Sequence, residues 1–302
     1  MDTTFVITTE SNSELPYAWE DETGVGVLRM PYTVDGTEYY YDLGRETDVP
    51  AFYEIMRNGA AVITAQRNPN EVIEYFEPFL AAGKDILHIA FSSALSGTFH
   101  CEAAAAAELM EKYPGRRVEL VDTLAISAPL AQLVEAATRM QRAGNSMDEI
   151  RDWVEANKQR ACALFTVDNL EYLRRGGRVS GAAAFFGNVL ELKPVLCISP
   201  EGRLVPIDKV KGRKKSMRYL VDTCAATIDC PEEQTITICQ ADCLEEARSL
   251  AAMVRESIRP KDVRINLVGP VIGSHCGPGT LALAYYCRDR AQLIPAGTGA
   301  AK

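Results

Sequence analysis

Short apolar runs alternate with amphipathic stretches of helical period along most of the chain, the pattern of a sheet with helices packed against it. Residues 5–9 and 25–30 read as strands, and 31–42 as a hairpin turning at VDGT. Helices are expected over 49–58, stopped by Gly59, and over 69–82, stopped by Gly83. In the second of these Val72, Ile73, Phe76, Phe79 and Leu80 share one face. A buried strand at 85–91, an alanine-rich helix at 97–113, a strand at 117–122 and helices at 128–143 and 147–158 follow.

The second half repeats the alternation with a different texture. A strand is expected at 162–167, then a short helix through Leu173 for which Asp168 is the capping candidate. LRRGGRVSG is too rich in charge and glycine for a packed core. Residues 194–198 and 203–210 form a hairpin around SPEGR. A helix at 215–228, a strand at 235–240, a helix at 244–258 and strands at 263–268 and 281–286 complete the reading. The tail GTGAAK is expected to be loose. The fold class is α/β with two domains. The first, 1–165, holds a mainly parallel sheet flanked by helices, and the second, 166–302, a smaller mixed sheet with helices. A chain of 302 residues agrees with two domains at roughly 150 residues each.

Composition narrows the function. A net charge of −9 and a pI near 5.1 argue against a nucleic-acid binder or an anionic-membrane binder driven by overall electrostatics. The opening MDTTFVITTE has an acid where a secretory leader has a basic region. No apolar run approaches the ~18 residues of a membrane span, so a cytoplasmic protein with no integral membrane segment is expected. Nine cysteines without a CxxC pair read as small buried thiols rather than a disulfide framework. With three histidines, no structural metal is expected.

Four polar segments follow apolar runs and contain residues that expose backbone amides. TTESNSELP (8–16) and ITAQRNP (63–69, with Thr64) each read on their own as capping turns. HIAFSSALSGTFH is more informative, because Ser92, Ser93, Ser96, Gly97 and Thr98 lead from a strand into a long helix. A helix start offers free N–H groups and the positive dipole end to an anion. Gly97 lets a ligand approach the backbone, and Ser96 adds a hydroxyl. N-capping by Ser96 is the simpler explanation of the same residues. The GxSxG elbow of a nucleophilic serine is missing. VIGSHCGPGT places His275 amid three glycines and a proline. That surround reads as a loop in which His275, with its ordinary pKa near ~6.5, is either a ligand contact or a satisfied surface histidine. Arg174, Arg175 and Arg178, and KVKGRKK from Lys209 to Lys215, are basic islands on an acidic chain. They are solvated faces or docking patches for an acidic or phosphate-bearing partner. No phosphate loop is present in GGRVSG.

Taken together, TTESNSELP, MPYTVDGTEYYYD, TAQRNP, IAFSSALSGTFHCEAA, VELVDT, VDNLEYLRRGGRVSG, GNVLELKPVL and GSHCGPGT resemble the DegV family of bacterial fatty-acid-binding proteins. SSALSGT and LEYLRRGGRVSG followed by LKPVL are the specific pieces. The resemblance implies two α/β domains with a long-chain fatty acid between them and no other cofactor. It implies a carboxylate held by Thr64, Ser96 and His275, with Ser93 and Gly97 in support. It further implies a binding subunit, itself no enzyme, that presents the carboxylate to a separate fatty acid kinase for acyl-phosphate formation. Arg178, Lys211 and Arg213 would then be docking positions. The chain departs from the family pattern at Glu10, where aspartate is usual, at Ala65, where serine is common, and at Lys211, where arginine is usual. Lysine lacks the bidentate fork of arginine.

Two other readings use the same residues. One is a serine hydrolase or acyltransferase built on Ser96 and His275, and the other is a lipid-sensing regulator. About fifteen buried methylenes at ~0.8 kcal/mol each give roughly 12 kcal/mol gross, which leaves useful affinity after association costs. Helices at 72–80 and 182–190 are candidate pocket walls, and a monomer is the default oligomeric state.

Overall fold

Phe5–Glu10 (β1) is buried along its whole length, as a strand covered on both faces must be. The chain continues through α1 (Tyr17–Thr23), β2 (Gly26–Leu28), the hairpin β3 (Pro31–Val34) and β4 (Thr37–Tyr40), α2 (Val49–Arg57) and β5 (Val62–Thr64). Next come α3 (Pro69–Ala81), β6 (Asp85–Ala90), α4 (Thr98–Lys112), β7 (Val118–Asp122), α5 (Ser127–Arg142) and α6 (Met147–Asn157). The remaining elements are β8 (Ala161–Thr166), α7 (Leu170–Gly176), β9 (Leu192–Ile198), β10 (Leu204–Lys211), α8 (Arg213–Thr227), β11 (Thr235–Gln240), α9 (Leu244–Ser257), β12 (Asp262–Leu267), α10 (Pro270–Cys276) and β13 (Leu281–Tyr286). This computed structural model describes residues 4–168, 170–179 and 192–295. The helix expected at 182–190 and the tail GTGAAK lie outside them.

The chain forms two compact units, Met1–Thr47 with Ile63–Lys158, and Asp48–Val62 with Gln159–Lys302. In the first, four strands run parallel in the order β2-β1-β6-β7, with β3, β4 and β5 in a separate small sheet. Local signals set the helices. Asn68 and Glu71 form a reciprocal capping box ahead of α3, and Ser146 and Glu149 do the same for α6. Because the order runs 2-1-6-7, the connection leaving β1 and the connection leaving β6 part to opposite sides. Their carboxyl ends therefore frame a topological switch point, where parallel α/β sheets bind ligands.

The second unit contains a mixed sheet ordered β10-β9-β8-β13-β11-β12. Its six strands exceed the four of the parallel sheet, so it is not the smaller sheet that the sequence suggested. Leu164, Val195, Cys197, Leu220, Val221, Ile236, Ile238, Leu250 and Leu283 meet in its core. The division of the chain also falls before Thr166. β8 is hydrogen-bonded on both sides, to β9 and β13, so 159–165 belong with the second unit. The segment Asp48–Val62 joins that unit too. Tyr53 on α2 is fully buried and donates its hydroxyl to the Val268 carbonyl at 2.8 Å. Helix α7 ends at Gly176 rather than Leu173, and the Asp168 carboxylate pairs with Lys193. All nine cysteines are free thiols, six of them buried.

Candidate functional site

Buried polar residues crowd the carboxyl ends of β1 and β6: Thr8, Thr9, Glu10, Ser11, Asn12, Ser13, Glu14, Ser92 and Thr123 are all below 5% exposed. Backbone groups that leave the sheet are met by side chains, as buried polar groups must be. The Glu10 carboxylate accepts the Phe91 N–H at 2.9 and 3.2 Å. Ser11 Oγ accepts the Met30 N–H, Thr9 Oγ1 donates to the Ile89 carbonyl and Thr123 Oγ1 to the Ala90 carbonyl. Burial, reinforced by Glu102 alongside, pushes the Glu10 carboxyl well above the usual carboxylate range. Glu14, Leu124 and Ser127 hold left-handed backbone conformations at φ 59°, 52° and 50°, and the Ser127 hydroxyl donates to Glu14. Non-glycine residues in this region store strain that surrounding structure must hold, and they cluster at functional sites.

The Ser92–Gly97 turn lies on this edge. Asp122 Oδ1 accepts the N–H groups of Ser93 and Leu124, and Ser92 O accepts those of Leu95 and Ser96. Helix α4 starts immediately after Gly97. Ser96 Oγ stands 2.9 Å from Thr98 Oγ1 and accepts the Thr98 N–H at 3.2 Å, but the N-cap of α4 is Gly97 and no side chain caps the helix, so Ser96 is not the N-cap that the sequence suggested. Thr64 ends β5, and two residues on, Gln66 lies against Gly97. A Cβ on Gly97 would overlap its Oε1 and stand 3.0 Å from its Cδ. The segment carrying Thr64 and the segment carrying Ser96 are thus neighbours in one unit. Sequence reasoning missed Gln66, although a side chain resting on a glycine is the close approach that Gly97 permits.

His275 belongs to the second unit, and here the structure corrects an expectation. The histidine is not in a loop but in the last turn of α10, which Pro270 opens and Gly277 follows. Helix α10 packs on α7 and α2, and close-approach glycines make that packing possible. A Cβ on Gly273 would stand 3.0 Å from Tyr53 Cζ, and one on Gly176 would overlap His275 Nδ1. Burial, with Arg178 as the second cause, lowers the His275 pKa to about 4, so its ordinary value does not apply. At neutral pH the ring is uncharged and carries one N–H donor.

This depression fixes a sign. The unfolded ring, near ~6.5, binds a proton that the folded ring refuses until pH nears 4. The contribution is complete above pH ~6.5 and is lost as pH falls toward 4. Its ceiling is about 3 kcal/mol, and partial exposure of the ring brings the expectation to about 2 kcal/mol. Urea unfolding of the parent and of His275→Asn at pH 7 and pH 4.5 should show the parent losing more stability by that amount. Equal losses in the two proteins would contradict it.

The basic candidates divide. Arg178 is exposed and its guanidinium reaches the Gly176 carbonyl, next to His275. Lys211 is the exposed last residue of β10, in register with Leu192. Arg213 is turned inward, donating to Glu246 at 2.8 Å and to the Gly279 carbonyl at 2.5 Å. Its guanidinium ties α8 to α9 and to the segment after α10. No helix among the described residues is long and apolar enough to cross a membrane.

Comparison with known proteins agrees with this architecture over nearly the whole length. A DegV domain-containing protein of Clostridium perfringens is 43% identical over 281 residues, covering 93% of this chain and 97% of the relative. A Thermus thermophilus DegV family protein, whose structure is described by its fatty acid binding, superposes with a TM-score of 0.84. It is 29% identical, covering 94% of this chain and all of that one. A fatty-acid-binding DegV family protein of Streptococcus agalactiae superposes at 0.82 with 25% identity, over 94% of this chain and 99% of its own. The family model described as "Uncharacterised protein, DegV family" matches residues 4–288. With a parallel four-stranded sheet, a mixed six-stranded sheet and end-to-end likeness to such relatives, the chain belongs to the DegV family.

Proposed function

We propose that this chain binds a long-chain fatty acid and holds its carboxylate with Thr64, Ser96 and His275. The observation that carries the reading is the likeness to the fatty-acid-binding Thermus protein across 94% of the chain. The local chemistry supports it. Ser96 and the amide groups at the start of α4 offer donors at the positive end of a 15-residue helix. The neutral ring of His275 donates one hydrogen bond without requiring a proton from solvent. Ser93 and Gly97 support the turn, one through its amide to Asp122 and the other by letting the Gln66 side chain lie against the backbone.

The finer role we propose is that of the acyl-holding partner of an ATP-dependent fatty acid kinase in the cytoplasm. Of the three docking candidates, Arg178 and Lys211 are exposed. Arg213 serves that role less directly, since Glu246 and Gly279 engage it. Ala65 and Lys211 are the positions to restore, as Ala65→Ser and Lys211→Arg, if coupling to a kinase is weak. The serine-enzyme reading predicts covalent labelling of Ser96 by a fluorophosphonate, whereas the carrier reading predicts none.

Single substitutions test the donors. Thr64→Val, Ser96→Ala and His275→Asn should each weaken oleate binding about tenfold, the loss of one hydrogen bond to a charged group. Competition titration with a fluorescent fatty acid reads this directly. Three variants that hold oleate as tightly as the parent would remove these residues from the site.

A further inference from the structure

Beneath the switch point, three side chains from three elements converge in the core of the first unit. Glu10 ends β1, His88 lies within β6 and Glu102 lies within α4, and all three are fully buried. One donor atom from each lies within 4.8 Å of the others. His88 Nε2 stands 3.1 Å from Glu102 Oε1, an ion pair only if the ring is protonated, and no hydrogen bond joins them. With both carboxyls ionised, Nε2 and both carboxylate oxygens of Glu102 are buried atoms without a hydrogen-bond partner; only a proton held between Glu10 and Glu102 would join those two. Buried polar groups of this kind call for an explanation, of which an ion is one. We propose that Glu10, His88 and Glu102 form a binding site for a divalent first-row cation, zinc foremost.

The donor set fits such an ion. Imidazole nitrogen and carboxylate oxygen both ligate zinc at about 2.0–2.2 Å, and the edge of a tetrahedron with such bonds is about 3.3 Å. The 3.1 Å between Nε2 and Oε1 matches that edge. Outer contacts orient the ligands, as they do around established metal centres. His88 Nδ1 meets Thr8 Oγ1 at 2.9 Å. If Nδ1 carries the proton, Nε2 turns its lone pair toward the two carboxylates. Glu10 is pinned by the Phe91 amide at 2.9 Å. A dication between two carboxylates also leaves the cluster neutral, where two buried carboxylates alone are costly. The ion would bind as the unit folds, since the site is closed in the folded chain. It would brace β1 and β6 against α4, directly below the turn that carries Ser96.

Zinc content and thermal unfolding of the full chain test the site. Protein refolded with zinc and then dialysed should keep one zinc per chain by plasma mass spectrometry. Its midpoint should exceed by several degrees that of protein refolded with a chelator. Cobalt in place of zinc should give the visible bands of a nitrogen–oxygen site without a thiolate charge-transfer band, which separates this site from the exposed Cys230. Glu102→Gln, nearly the same shape, should lose both the bound zinc and the midpoint shift while remaining folded. Should Glu102→Gln fail to fold, the cobalt spectrum of the parent still decides. No zinc retained and no midpoint shift in the parent, or a thiolate band with cobalt, would overturn the proposal and leave the three groups sharing protons.

Discussion

Gly277→Ala is expected to destabilise the chain by about 3 kcal/mol and to weaken fatty acid retention, although residue 277 is not among the proposed carboxylate ligands. Two independent effects meet there. The backbone adopts φ 77° and ψ 165°, a region essentially reserved for glycine, where a side chain costs about 1–3 kcal/mol. A Cβ would also overlap the Tyr172 ring and stand 2.7 Å from its Cγ, so α10 or α7 must give way. Overpacking of this kind adds about 1–3 kcal/mol. The residue follows directly on the helix that carries His275, so the forced shift propagates to the histidine. Urea unfolding gives the stability term, and a double variant with Tyr172→Ala separates the two effects, since only the steric one is relieved. A loss below about 1 kcal/mol for Gly277→Ala would contradict the assigned backbone geometry.

Arg290→Met is the second large effect, expected to cost about 3 kcal/mol. The arginine is fully buried. Its guanidinium donates to the Ala161 carbonyl at 2.6 Å and to the Ser199 carbonyl at 3.2 Å, and its own N–H goes to the Gln159 carbonyl. It therefore ties the start of β8 to the residue that follows β9. Methionine keeps much of the stem but leaves two strand-end carbonyls without these donors. Hydrogen bonds from a charged group are worth about 1.5–3 kcal/mol each, offset by removal of a buried charge. The variant should lower the urea midpoint while retaining the far-ultraviolet spectrum of the parent. An unchanged midpoint would show that the guanidinium holds nothing in place.

How much of this was legible depended on the range of the signal. Helices α3 and α6 carry their starts and stops within a few residues, so their bounds agree with expectation to within one residue. The parallel strands β1 and β6 are short apolar runs bounded by polar turns, and they too were readable. Helix α10 was not, because its seven residues are too few for periodicity and its glycines suggest a loop. Pro270 at its first position and Gly277 just past its end were the available signal. The placement of Asp48–Val62 was out of reach, since Tyr53 meets Val268 across 215 positions. The size of the mixed sheet was hidden likewise, because the pairing of β8 with β13 is non-local.

The candidate site divides along the same line. SSALSGT announces a turn into a helix, and the helix follows one residue later than that pattern suggests, with Gly97 rather than Ser96 at its cap. Gln66 over Gly97, and Glu10 with His88 and Glu102, join residues from separate elements whose proximity only the sheet order creates. The altered chemistry of His275 is invisible from its neighbours in sequence, since its burial arises from packing on α7 and α2.

Native mass spectrometry of the purified full chain, followed by organic extraction and identification of any bound lipid, tests the central claim most directly. A single adduct with the mass of a long-chain fatty acid, lost in denaturing conditions and restored by added oleate or palmitate, is the predicted result. A bare chain mass that neither fatty acid shifts would contradict the account.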